Sequence, residues 1–184
     1  KQTNSTSCDG CTPGRYGPDS DNCNDCPEGF YANGAGFTSC FECLKGEYAD
    51  EASATECKLC PRGRHSDVMK AVSNATCTSC PAGMFSDVDG AKDSYACKDC
   101  RSGRWGNEPA APSETSWHMC DAGRYSEETA RTDGSTCVPC AAGRSSAKVG
   151  SSTSEDCEAC NAGLYQTENA STFCLSCLPG MFTN

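Results

Sequence analysis

Large apolar side chains along this chain follow neither the 3.6-residue period of an amphipathic helix nor the sustained alternation of a half-buried strand. What recurs is a short punctuation: Cys-x-x-Cys, Gly three positions after the second Cys, then an aromatic ring two positions further on. The doublets are Cys8/Cys11, Cys23/Cys26, Cys40/Cys43, Cys57/Cys60, Cys77/Cys80, Cys97/Cys100, Trp117/Cys120, Cys137/Cys140, Cys157/Cys160 and Cys174/Cys177, the seventh having Trp in its first place. The Gly follows all ten, at Gly14, Gly29, Gly46, Gly63, Gly83, Gly103, Gly123, Gly143, Gly163 and Gly180. The ring is Tyr16, Tyr31, Tyr48, Phe85, Trp105, Tyr125, Tyr165 or Phe182, with His65 and Ser145 in the two remaining repeats. A unit of this size has no self-sufficient core, and Gly at a fixed offset marks a turn with φ > 0. Each unit therefore predicts a tight turn, a very short strand or hairpin and an irregular polar loop. The density of Gly, Ser, Asn and Asp speaks against helices. The expected organisation is one tandem array over residues 1–184, its repeats starting at the ten doublets, with the segment around Pro109 and Pro112 the least regular.

Composition sharpens this picture. Leu, Ile, Val and Phe total only 16 of 184 residues and the formal charge is −10, a profile that ordinarily means disorder. The 19 Cys residues replace that reading with a disulfide scaffold, and a scaffold of this kind belongs to an oxidising, extracellular compartment, secreted or on a cell surface. No apolar run approaches the ~20 residues that span a bilayer, so no membrane insertion is expected, and the polar first residues do not read as a signal peptide. The acidic excess disfavours nucleic acid as a partner.

Two pairings fit the cysteine spacing. In one, the second Cys of each doublet closes a loop with the first Cys of the next: Cys11–Cys23, Cys26–Cys40, Cys43–Cys57, Cys60–Cys77, Cys80–Cys97, Cys120–Cys137, Cys140–Cys157 and Cys160–Cys174, leaving Cys8, Cys100 and Cys177 unpaired within the chain. In the other, whole doublets pair in blocks, as Cys8–Cys23 with Cys11–Cys26. The first is preferred because every loop is then a self-contained copy of the motif. A loop of this length adds roughly 3 kcal/mol through the unfolded chain, the largest stabilising term open to a chain so poor in aliphatic side chains.

The run Cys26-Pro27-Glu28-Gly29-Phe30-Tyr31 to Cys40 resembles the first module of tumour-necrosis-factor-receptor cysteine-rich domains. Cys80-Pro81-Ala82-Gly83-Met84-Phe85-Ser86 to Cys97 resembles the closely similar ephrin-receptor-like cysteine-rich repeat. The resemblance spans essentially Cys8 to Phe182 and implies extracellular modules stacked end to end, each closed by one disulfide as in the first pairing.

Rival chemistries are weaker. Paired Cys-x-x-Cys doublets can hold zinc, but zinc knuckles want Gly directly after the second Cys, and Trp117 would destroy one site. His65 and His118 are the only imidazoles and form no catalytic constellation; His65 stands in a ring position, where packing is expected, and His118 is expected to be solvated. Asp87-Val88-Asp89-Gly90 lacks the remaining ligands of a calcium loop, and Asp19 and Asp21 read as turn residues. No cofactor or metal is therefore expected. Asn4, Asn74 and Asn169 head N-x-S/T sequons, so covalent glycans are expected.

Repeats in series touch mainly their neighbours. Ten layers of ~10 Å would make a rod of roughly 100 Å, against a radius of gyration of ~16 Å for a compact globule of this length. Such a chain is read as an extracellular, non-enzymatic structural protein, a subunit of a filament or surface appendage. Its expected partners are copies of itself, joined head to tail with Cys177 crosslinked to Cys8 of the next copy, or neighbouring repeats of a longer chain. The alternative is a receptor-type ectodomain that binds a protein ligand. Trp105, Trp117, His118 and Met119 mark a special place. Either Trp117 fills the volume of a missing crosslink and packs on Trp105, or the four residues form an interaction patch.

Overall fold

The computed structural model of the chain describes residues 10–178 and 180; Asn4, Cys8 and Phe182 lie outside them. Among the described residues, extended structure consists of nine two-stranded antiparallel ribbons, each strand two residues long. They run from Arg15–Tyr16 paired with Asn24–Asp25 to Leu164–Tyr165 paired with Leu175–Ser176. One strand of each ribbon carries the ring position and the residue before it; the other is the pair of residues inside the next doublet. Tyr31 thus faces Phe41, and Phe30 faces Glu42. A turn with Gly in its third place feeds each ribbon: the Phe30 N–H bonds the Pro27 carbonyl at 3.1 Å and the Met84 N–H bonds the Pro81 carbonyl at 3.1 Å. This turn type needs φ > 0 at that place, and Gly29 and Gly83 have φ of 80° and 79°.

Among the described residues, eight disulfides close eight loops: Cys11–Cys23, Cys26–Cys40, Cys43–Cys57, Cys60–Cys77, Cys80–Cys97, Cys120–Cys137, Cys140–Cys157 and Cys160–Cys174. Each joins the second Cys of one doublet to the first of the next. Cys100 and Cys177 are the free thiols among the described residues.

The chain forms two compact units. One comprises the chain up to Ser79 together with Asp87–Ala96; the other comprises Cys80–Ser86 together with the chain from Cys97. Inside each unit, successive repeats are joined by the same three main-chain hydrogen bonds. In the first unit, Gly29 N–H donates to the Ala49 carbonyl at 2.9 Å, Ala32 N–H to the Ala54 carbonyl at 3.0 Å, and Ser53 N–H to the Cys26 carbonyl at 2.8 Å. In the second, Gly103 N–H donates to Ser126 at 2.8 Å, Gly106 N–H to Arg131 at 2.9 Å, and Ala130 N–H to Cys100 at 3.0 Å. The interior follows from this close approach of backbones. It is made of half-cystines and small residues, Ala32, Ala49 and Ser66 in the first unit, Ser86, Ser126 and Ser146 in the second. Large apolar side chains such as Val72, Val149 and Phe173 are left outside.

Two features go beyond the sequence reading. Among the described residues, five three-residue 3-10 turns occur, at Asn74–Thr76, Ser94–Ala96, Glu114–Ser116, Gly134–Thr136 and Ser154–Asp156. Each immediately precedes the first place of a doublet in a long loop. Loops whose bridged residues are 17 apart have such a turn, and those 12 or 14 apart have none; the three extra residues are taken up in one helical turn. Local side chains support it, as where Asp133 accepts the Ser135 N–H.

The second feature is a left-handed residue in mid-loop. Ser53, Lys70, Ala110, Ala130 and Ala170 have φ between 55° and 60°, a conformation that costs a side chain roughly 1–2 kcal/mol. Gly90 and Gly150 take the same place in other loops. Its N–H donates to the carbonyl of the second Cys one doublet before its own, Lys70 to Cys43 at 2.8 Å and Ala170 to Cys140 at 2.9 Å. The strain is tolerated because the bent backbone delivers this hydrogen bond.

The same bend adds a second demand at some of the turn glycines. A Cβ on Gly83 would lie 2.5 Å from the carbonyl oxygen of Ala130, two repeats on, whereas a Cβ on Gly163 would meet nothing within 4 Å. Both have positive φ, 79° and 84°. Gly83→Ala is therefore expected to lower stability more than Gly163→Ala by about 1–3 kcal/mol, the usual cost of overpacking. Denaturant unfolding with disulfides intact measures the difference, and equal losses would show that the backbone contact is unimportant.

Candidate interaction site at the repeat without a disulfide

The loop from Cys100 to position 117 has the same length as its neighbours but no bridge. Trp117 occupies the half-cystine place, where the side chain faces inward, and it is only 6% exposed. Its indole meets the edge of Phe85, with ring centroids 4.8 Å apart and planes at 88°. Phe85, Cys100, Ala111 and Trp117 form one buried cluster. An indole is far larger than a half-cystine, and the room comes from Gly106. Most other repeats have Ala or Ser directly after the ring, but a Cβ on Gly106 would overlap Trp117 Cδ1 and stand 2.9 Å from Nε1. The Trp and the missing Cβ are one adjustment. It is imperfect, since the buried Trp117 Nε1–H has no hydrogen-bond partner, an omission that ordinarily costs about 1–3 kcal/mol.

Cys100, stranded by this exchange, is fully buried. Its Sγ–H donates to the Arg104 carbonyl at 3.2 Å, and burial pushes the thiol pKa up. A protonated, enclosed thiol is a poor nucleophile. Cys177 is half-buried.

On the outside of the same repeat, the ribbon Arg104–Trp105 with His118–Met119 places Trp105 opposite His118. Their rings lie 4.5 Å apart and 30° from parallel. Trp117 therefore packs on Phe85, not on Trp105 as one of the two sequence readings had it, and His118 is stacked although its surface is open. The physical reason is alternation: a residue in the half-cystine place points inward, and the strand that follows it lies at the surface. Trp105, His118 and the exposed Met119, with Arg124, Ser135 and Val149, line an open groove of about 860 Å³. The four candidate patch residues thus separate into three that share a surface groove and one, Trp117, that is core.

The remaining candidates are dispersed. His65 lies in a ribbon opposite Thr78, and its Nδ1 is buried without a partner. Asp89 pairs with Arg62 at 3.1 Å, while Asp19 Oδ1 accepts from the Asp21 N–H and the Asn22 amide. No cluster of three or more His, Cys, Asp or Glu is arranged to hold a metal ion among the described residues. Asn74 and Asn169 are exposed. The sequence reading passed over one recurrent contributor, the Arg directly after the turn Gly. Arg64 reaches the Cys77 carbonyl at 2.9 Å, Arg124 the Cys137 carbonyl at 2.9 Å and Arg144 the Cys157 carbonyl at 2.8 Å. Its signal was a second fixed offset, Gly-Arg, in five repeats.

Substitution separates the roles of Trp117. Trp117→Ala should cost about 3–5 kcal/mol and raise the alkylation rate of Cys100 in the folded chain, followed by peptide mass spectrometry with Cys177 as internal reference. Trp117→Cys should create a ninth bridge with Cys100. A native chain that alkylates Cys100 as fast as Cys177 would contradict the buried cluster.

The family model described as tyrosine-protein kinase ephrin type A/B receptor-like matches residues 29–75 and 148–184, together a little under half of the chain. No curated protein matches it. Among the described residues, no helix is long and apolar enough to cross a membrane. Eight loop-closing disulfides, nine two-residue ribbons and two matched segments make this chain a tandem array of disulfide-rich repeats similar to the ephrin-receptor-like cysteine-rich repeats of extracellular proteins.

Proposed function

We propose that this chain is an extracellular, non-enzymatic structural protein, a subunit of a filament or surface appendage that associates with copies of itself or with further repeats of the same kind. One observation carries the reading. The step from one repeat to the next is made by main-chain groups, as in Gly29 N–H to Ala49, Ala32 N–H to Ala54 and Ser53 N–H to Cys26. A joint that asks only for small residues and a left-handed bend can be repeated by any further copy of the motif, which is what a polymeric subunit requires. The acidic, Ser- and Thr-rich loops are then free to vary outside the joint.

A second reading, a receptor-type ectodomain that binds a protein ligand, draws on the groove at Trp105, His118 and Met119. Aromatic and Met side chains beside an Arg are the residue types enriched at protein interfaces.

The two readings diverge in solution. A filament subunit should show growth in sedimentation coefficient with concentration and ordered polymers by electron microscopy. A chain that stays monomeric at every concentration, yet loses affinity for a captured ligand in Trp105→Ala, would overturn the filament reading in favour of the receptor.

A further inference from the structure

We infer that Asn74 and Asn169 are N-glycosylation sites, and that the glycans are attached before the repeats close. This rests on the extracellular reading. The sequons Asn74-Ala75-Thr76 and Asn169-Ala170-Ser171 carry no Pro at the middle position, as the acceptor motif requires. Both Asn side chains are exposed. Asn74 opens the 3-10 turn Asn74–Thr76, and that turn uses its main-chain carbonyl, bonded by the Cys77 N–H at 3.0 Å, leaving the side-chain amide out of the fold's contacts. Asn169 stands just before the left-handed Ala170 and accepts the Ala142 N–H on Oδ1 at 3.0 Å. N-glycosylation modifies Nδ2 and keeps the amide oxygen as an acceptor, so a glycan fits here without breaking the bond to Ala142.

The hydroxyls of the two sequons set the order of events. Thr76 Oγ1 donates to the Ser73 carbonyl at 3.0 Å and Ser171 Oγ to the Glu168 carbonyl at 3.1 Å. Each hydroxyl is tied into the native turn, whereas the acceptor motif needs it free to engage the Asn side chain. The transfer therefore belongs to the unfolded chain, before Cys60–Cys77 and Cys160–Cys174 form. The donor is an oligosaccharide on a lipid pyrophosphate. A bond forms from Nδ2 to the anomeric carbon, the bond from that carbon to the pyrophosphate oxygen breaks, the amide releases one proton and the lipid pyrophosphate leaves, with no change of oxidation state. Exposed Asn107 and Asn161 lack the hydroxyl residue two places on and serve as internal controls.

The full chain, secreted from a eukaryotic cell, is mapped by non-reducing peptide mass spectrometry before and after peptide N-glycosidase. Glycan at Asn74 and Asn169, each converted to Asp on release, and none at Asn107 or Asn161, is the expected result. Thr76→Ala should remove the Asn74 glycan while that Asn remains, and Asn169→Gln, which keeps the amide acceptor for Ala142, should remove the other. Accelerating bridge formation with added oxidant should lower occupancy. Correct disulfides with bare Asn74 and Asn169, or occupancy unchanged by Thr76→Ala, would overturn the inference alone. Reduced thiols in the secreted chain would instead overturn the extracellular reading beneath it.

Discussion

A main chain can lie against another main chain only where no side chain stands between them, and this steric condition governs every joint inside the two units. It is met by Gly at the turn, by Ala or Ser after the ring and by a left-handed bend that turns an N–H toward the preceding repeat. Gly83 beneath the Ala130 carbonyl shows how little room remains. Hydrogen bonds formed this way are short and directional, but each contributes little net free energy after exchange with water, about 1 kcal/mol. They need loops that are already closed, and the disulfides supply that closure by restricting the unfolded chain.

The consequence is a protein whose interior contains almost no aliphatic side chain. Half-cystines take the place of Leu and Ile, and apart from Phe85 and Trp117 the larger apolar residues contribute no buried cluster among the described residues. Position by position, the repeat tolerates change wherever its joints are not touched. The loops vary in length, and a single 3-10 turn absorbs each three-residue extension. Ring positions vary from Tyr to His65 and Ser145 because most of the rings are only half-buried, with Phe85, packed on Trp117, the buried exception.

The repeat at Trp117 shows how the condition is preserved when a crosslink is lost. Volume that a disulfide would fill is taken by an indole, the indole is accommodated by removing one Cβ at Gly106, and Phe85 supplies an edge for it to pack on. The thiol left behind is sealed in. Surface character lies next to it, since His118 and Met119 follow Trp117 on the strand and join Trp105 around an open groove. Core repair and a candidate binding surface thus arise from adjacent residues with opposite orientations.

Sequence alone carried the repeat, its ten turns, the disulfide-based chemistry and the absence of a conventional core, because cysteine and Gly spacings are local signals read directly along the chain. It also marked Trp117 as exceptional and the sequons as modification motifs. Tertiary structure alone decided which ring Trp117 meets, why Gly106 lacks a side chain, and that Ser53, Lys70, Ala110, Ala130 and Ala170 are left-handed. Those residues stand ten positions after the second Cys of their doublets, but Ser, Lys and Ala do not announce a positive φ as Gly does; the carbonyl in the preceding repeat to which each delivers its N–H is seen only in the fold.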